Sequence, residues 1–359
     1  MTLYVPFLKM KQNEIGAISA ISQHHRNQLR PFFDIPKTKT ESRPEIIARI
    51  TTAKKQADKE LSATEFYLDN YDVDDSVDIG GPSPYGSLLN YFREHRVIPV
   101  IALNRHQLHN QAALAFAAKR DRKVLLRLTS EDMESYRLAQ PQLMQLYKSI
   151  AEAGIAEIQL ALDFRVIKDK VETLASNAEM FLRAFRRDYV AHSVIVAGSS
   201  IPASVRDLLK TKDSAILDRR EWELWENLRA GGRLPSSFGD VAFGDYGVVS
   251  PDYTDVEMNF AMLQNVAAPK AFYTFEGKFF VVRGGAFKTH PDKYRQYYAI
   301  ADLIASQSYF RDVSYSFGER YIYERTAMAS SRSSKPGSPG SWLKATLSSH
   351  FTYIVDELL

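Results

Sequence analysis

Acids and bases recur where the apolar, strand-like runs of this 359-residue chain end: Lys9, Asp34, Asp69, Asn104, Arg127, Asp163, Arg165, Ser199 and Asp245. Gathered in space, the carboxylates of Asp34, Asp69, Asp163 and Asp245 would suit a hard divalent cation, and with it a metal-assisted catalytic set. Lys9, Asn104, Arg127, Arg165, Ser199, Ser200, Arg220 and Tyr246 would instead suit a phosphate-bearing ligand, held by charge-assisted hydrogen bonds. The same mixture also makes a structural network of ion pairs, and residue types alone do not choose among the three. A divalent cation is the single cofactor that these residues suggest.

The elements that would bring these residues together follow a strand–helix rhythm. Tyr4–Leu8, Leu29–Ile35, Glu65–Leu68, Val97–Leu103, Lys123–Leu128, Ala156–Arg165, Ser193–Ala197 and Asp240–Gly244 read as strands. Helical periodicity separates most of them, as in Arg43–Leu61, Gln107–Lys119, Pro141–Ala153 and Val171–Phe185. Ile46, Ile47, Ile50 and Ala53 share one face of the first of these. Eight such units predict an α/β fold, a (β/α)8 TIM-like barrel, with an open doubly wound sheet as the rival. In both, ligands sit at the carboxyl ends of the strands, so residues far apart in sequence converge on one mouth. Asn70–Gly86, acidic and then rich in Gly and Pro, reads as a loop long enough to lie over that mouth, although a solvated connection has the same composition.

Beyond Pro251 the rhythm breaks. Ala271–Phe275 and Lys278–Arg283, joined by Glu276-Gly277, form an expected β-hairpin, and Tyr294–Ser306 an expected helix. Ser330–Ser341 has little to bury and reads as a mobile loop, and Trp342–Leu359 suits helix or strand equally. The chain thus reads as a single barrel-based unit, with residues 1–255 as the core and 256–359 as a hairpin and helical extension packed on it.

Composition narrows function without naming it. Hydrophobic residues at 45% and charged residues at 25% are those of a folded globular chain. A net charge of +3 marks no nucleic-acid binder without a clustered patch. With no cysteine there are no disulfides, thiolate nucleophiles or zinc–thiolate sites. The N-terminal residues do not read as a secretory leader, and no apolar run approaches the ~20 residues of a membrane span, so the expectation is a cytoplasmic protein with no membrane partner.

Other motifs weigh less. Gly198-Ser199-Ser200 could cradle an anion if a helix begins near Pro202, but a serine N-cap ahead of Ala203–Leu209 explains it as well. His24-His25 and Thr289-His290-Pro291 lack the spacing of a metal-binding helix. Trp222 and Trp225, three apart, share a helix face and read as a core anchor before a base-stacking pair.

Several stretches together resemble the phage and bacterial "beta family" proteins: Tyr4-Val5-Pro6-Phe7-Leu8-Lys9-Met10-Lys11, Leu29-Arg30-Pro31-Phe32-Phe33-Asp34-Ile35-Pro36 and Arg220-Glu221-Trp222-Glu223-Leu224-Trp225. Phe243-Gly244-Asp245-Tyr246 with Pro251, and Ala271-Phe272-Tyr273 leading to Arg283-Gly284, extend the likeness. Ser316-Phe317-Gly318-Glu319-Arg320-Tyr321-Ile322 and Trp342 with His350 complete it, although Ser349-His350 stands where the family pairs histidines. The resemblance implies a barrel and a setting in phage genomes and bacterial antiviral defence, but no established reaction. Two readings follow. One is a phage–host conflict protein whose mouth binds a phosphate-bearing ligand or a protein partner encoded nearby. The other is a metal-dependent phosphodiester hydrolase acting on nucleotides or nucleic acid. Whether the protein is an enzyme is left open.

Overall fold

The computed structural model describes residues 4–37, 42–73, 77, 79–81, 83–168, 170–209, 212–230, 233–234, 238, 241–252 and 267–359. Two compact units interleave along the chain. One comprises Met1–Lys11, Leu29–Ser199 and Arg220–Tyr246, the other Gln12–Gln28, Ser200–Arg219 and Gly247–Leu359.

The first unit is a closed barrel of eight parallel strands. In order around the wall they are β1 (Tyr4–Lys9), β2 (Phe32–Asp34), β3 (Glu65–Asp69), β4 (Arg96–Ala102), β5 (Lys123–Thr129), β6 (Glu157–Val166), β7 (Ser193–Ser199) and, skipping one strand of the other unit, β9 (Val241–Asp245). The expected barrel is therefore present, and its rival, an open sheet, is not. Closure places Val5 beside Gly244 and Pro6 beside Asp245, while Ala197 meets Gly244 from the other side. Gly244 is needed there: a Cβ would stand 3.0 Å from the Val5 carbonyl oxygen and 3.1 Å from the Ala197 Cβ.

Strand alternation sorts side chains between lumen and wall. Val5, Phe7, Phe32, Tyr67, Val100, Leu125, Ala161 and Ile195 pack the lumen as an apolar plug. On the outer face of β9, Phe243 meets the edges of Trp222 and Trp225 at ring separations of 4.9 and 5.5 Å. Those tryptophans belong to the helix Arg220–Ala230, and the Trp225 indole donates to the Val241 carbonyl at 3.0 Å. They are a core anchor. The helix Tyr136–Glu152 begins before Pro141, so that proline sits within its first turns, and Gly154 ends the segment at a φ of +65°.

The second unit holds an antiparallel sheet in the order β10 (Lys270–Phe275), β11 (Lys278–Arg283), β8 (Asp213–Asp218). The hairpin matches expectation; β8 does not, because its alternation Asp213-Ser214-Ala215-Ile216-Leu217-Asp218 is short and polar at both ends and gains strand form by pairing with β11. Tyr273, Phe280, Tyr297, Ile300, Ile322 and Trp342 form the core of this unit. The C-terminal stretch resolves as a helix, Pro339–Leu358, opened by a capping box between Ser338 and Ser341. The preceding segment is irregular, but its backbone is fastened: Tyr298 donates to the Ser333 carbonyl at 2.9 Å and the Trp342 indole to the Pro336 carbonyl at 2.9 Å. The expected helix Ala203–Leu209 is only a 3-10 turn, Val205–Asp207, capped by Ser204. Gly231, Gly232, Pro235 and Asp240 lie outside the described residues.

Truncating the buried ring that joins β9 to its helix removes the contacts of two tryptophans. Phe243→Ala should cost about 3–5 kcal/mol in urea unfolding and Phe243→Leu much less. Equal, small losses would show that this packing does not hold the barrel shut.

Candidate anion-binding mouth

The row of inward residues at the carboxyl end of the barrel follows from register. Lys9 pairs across the sheet with Asp34, and Asp34 with Asp69; Arg127 lies level with Ala102 and Ala161, where the small neighbours leave room for a long side chain. Arg127 is 1% exposed. Its Nη1 donates to Asp34 at 3.1 Å and to Asp69 at 2.8 Å, and its Nε and Nη2 donate to Asp163 at 3.0 and 2.7 Å. Tyr246 completes the group, donating its hydroxyl to Asp163 at 2.7 Å and standing 3.2 Å from Nη2. One guanidinium thus ties together strands β2, β3, β5 and β6, on the floor made by Phe7 and Phe32, whose rings lie 5.9 and 5.0 Å away.

Second partners hold the acids in place. Asp69 accepts from the Asn70 backbone at 2.8 Å and from Arg105 at 2.8 Å. Lys9 reaches Asp34 at 3.5 Å and forms a close ion pair with Asp72. Asp163 accepts from the backbone N–H of Arg165 at 2.9 Å, at the register shift that separates Asp163 from Val166 in β6. Arg165 takes a φ of +49° there, a conformation that costs a non-glycine residue free energy and aims its side chain off the regular strand.

Charge follows this geometry. Burial works against the Arg127 charge, but Asp34 and Asp163 override it and hold the guanidinium well above its ordinary value. Burial raises the Asp69 carboxyl, yet Arg105 and then Arg127 outweigh that and leave it below 3.8. Burial opposes the Lys9 charge too, and Asp34 and Asp72 leave its amine raised. The Tyr246 phenol is pushed far up by burial and by Asp163, so it remains a neutral donor.

Above this network lies Tyr71, in the loop after β3. Its ring is approached by the guanidinium carbons of Arg127 at 4.2 Å, Arg165 at 4.6 Å and Arg105 at 5.3 Å. The loop after β3 therefore reaches the mouth through Tyr71 and Asp72 and is more than a solvated connection there; residues 74–76, 78 and 82 of it lie outside the described residues.

Six expected residues, Lys9, Asp34, Asp69, Arg127, Asp163 and Tyr246, meet here, and Arg165 joins them at the rim. Others go elsewhere. Asp245 accepts from the Tyr4 hydroxyl at 2.7 Å and has the parity of Phe243, so the pleat turns it to the outer face of β9; the expectation that Asp163 points toward it is corrected. Asn104 is exposed and donates to Asp132 at 2.7 Å, leaving the neighbouring Arg105 as the strand-end residue that reaches the mouth. Arg220 donates to the Ile167 carbonyl at 3.2 Å. Ser199 is buried in β7, its carbonyl accepting from Ile167 at 2.9 Å, while Ser200 falls in the second unit, with no helix of useful length after it. Sequence reading passed over Tyr71, Asp72 and Arg105. The available signals were an aromatic in an acidic loop directly after a strand-end Asp, and a base adjacent to Asn104.

Arginine occupies the point on which the acids converge, and among the described residues no three His, Asp or Glu side chains gather as a ligand set for a metal ion. No described helix is long and apolar enough to cross a membrane.

Arg127→Met should strip three buried carboxylates of their common cation and cost at least about 3–5 kcal/mol. Arg127→Lys should recover only part of it, since one ammonium lacks the fork that spans three acids. Urea unfolding reads both, and a neutral Arg127→Met would contradict the network. Because the folded Asp69 carboxyl lies below its ordinary 3.8, the stability it supplies is complete above that value and lost as pH falls below it. The slope of stability against pH below about 4 should flatten in Asp69→Asn.

No curated protein matches the chain, but the profile of one family, described as Beta protein, matches residues 4–356, nearly its whole length. The chain belongs to the Beta protein family.

Proposed function

We propose that the barrel mouth binds a phosphate-bearing ligand and that the protein acts by binding, in phage–host conflict, rather than by metal-assisted hydrolysis. The observation that carries this reading is the division of labour in the mouth. Asp34, Asp69 and Asp163 converge on Arg127 at 1% exposure, while Lys9 and Arg105, which share Asp34 and Asp69, are 12% and 9% exposed, and with Arg165 are the cations that a ligand arriving at the strand ends would meet first. Cations preorganised by buried acids lose little side-chain freedom on taking up an anion. The setting in phage–host conflict rests on family resemblance alone, and a partner protein encoded nearby remains part of the same reading.

Inorganic pyrophosphate titrated calorimetrically into the protein should bind. Arg165→Met, which removes a rim charge but keeps the stem, should weaken binding about tenfold, the value of one charge-assisted bond. Its melting temperature should change little. Absence of pyrophosphate binding to the wild-type protein would end this reading, and stabilisation by Mg²⁺ or Mn²⁺ without phosphate would favour the hydrolase. A phage-restriction assay on Arg165→Met tests whether binding serves defence.

A further inference from the structure

Tyr71 and Asp72 present to the mouth the two parts of a small aromatic anion. The Tyr71 ring takes the place where the Arg127, Arg165 and Arg105 guanidiniums converge, and the adjacent Asp72 carboxylate takes the Lys9 amine. These are the contacts that a stacked base and a phosphate would make with the same cations, since guanidiniums stack on any π-face and Lys binds phosphate as a point charge. We propose that the two residues are an internal surrogate for a nucleotide, which displaces them and takes their seat. This rests on the anion-binding reading above and names its ligand class.

Competition for the same cation favours displacement over binding alongside. Asp72 already holds the Lys9 amine in a close ion pair, so a phosphate that takes this cation competes with the Asp72 carboxylate for it. The surrogate is also the most readily detached member of the group. Asp34, Asp69 and Asp163 sit on barrel strands at 2% exposure or less, whereas the Asp72 side chain is 15% exposed and both surrogate residues belong to a turn closed by the bond from Val73 N–H to the Asn70 carbonyl, 2.9 Å. The Tyr71 ring already takes the contact with Arg127 that a base would need, 4.2 Å from the guanidinium carbon.

The test compares ribonucleoside triphosphates with inorganic tripolyphosphate, on wild-type protein and on Tyr71→Ala/Asp72→Asn, by calorimetry. Removing the surrogate should tighten nucleotide binding at least tenfold, and nucleotides should gain more than tripolyphosphate because only they have a ring to seat. Asp72→Asn alone should improve both ligands equally. Equal affinity for nucleotide and tripolyphosphate in the double variant would overturn the nucleotide seat while leaving anion binding intact; no binding of either to any form would remove both. Weaker nucleotide binding in the double variant would show that Tyr71 stacks on the ligand and is not replaced by it. Should the double variant fold poorly, Tyr71→Trp supplies a second reading. Its fluorescence, taken as a difference from wild type, should shift to the red on adding nucleotide as the indole leaves the guanidiniums for water; an unshifted spectrum under saturating nucleotide would overturn displacement.

Discussion

Burying one guanidinium among three carboxylates is the constraint on which the mouth depends. Arg127 would be prohibitively costly in the lumen without Asp34, Asp69 and Asp163, and each acid would be costly there without Arg127. Replacing all four groups together by apolar side chains of similar volume is often neutral, unlike removing one of them, so the cluster is weak evidence of selection for stability. What it provides is position. Four strands are keyed to one side chain whose planar fork accepts a narrow set of geometries, and the next shell, Lys9, Arg105, Tyr246 and the turn at Arg165, takes its place from those acids. The functional reading grows from that consequence: around the committed carboxylates stand Lys9, Arg105 and Arg165, with the Tyr71 ring against two of them.

The barrel itself was legible because its signal is repetitive. Apolar runs such as Val97–Leu103 and Ala156–Leu162 have the length and composition of strands buried on both faces, and eight of them alternating with helices leave few alternatives. Closure was not legible, since it depends on the register of β9 between β1 and β7 and on the absence of a side chain at Gly244, neither of which spacing reveals. The second sheet was half legible. Glu276-Gly277 announces the hairpin, but β8 has no strand signal apart from its distant partner β11.

The site was legible as a set of strand ends and illegible in its parity. A one-residue step along a strand reverses the face, so Asp245 and Tyr246, or Asn104 and Arg105, cannot be sorted without knowing where the strand stops. Asp34, Asp69 and Asp163 were found because acids at the end of apolar runs are conspicuous. Their role was not, because a carboxylate that binds metal and one that pairs with arginine look alike in sequence. Tyr71 was hidden for a different reason: a loop residue owes its position to the three arginines it meets, which come from three separate segments of the chain.

The most direct measurement of the central claim is a crystal structure of the protein grown with pyrophosphate and Mg²⁺ together. The account predicts the anion bound by Lys9, Arg105 and Arg165, with Arg127 still on its three carboxylates and no metal among them. A metal ion held by Asp34, Asp69 and Asp163, with Arg127 driven out, would contradict it.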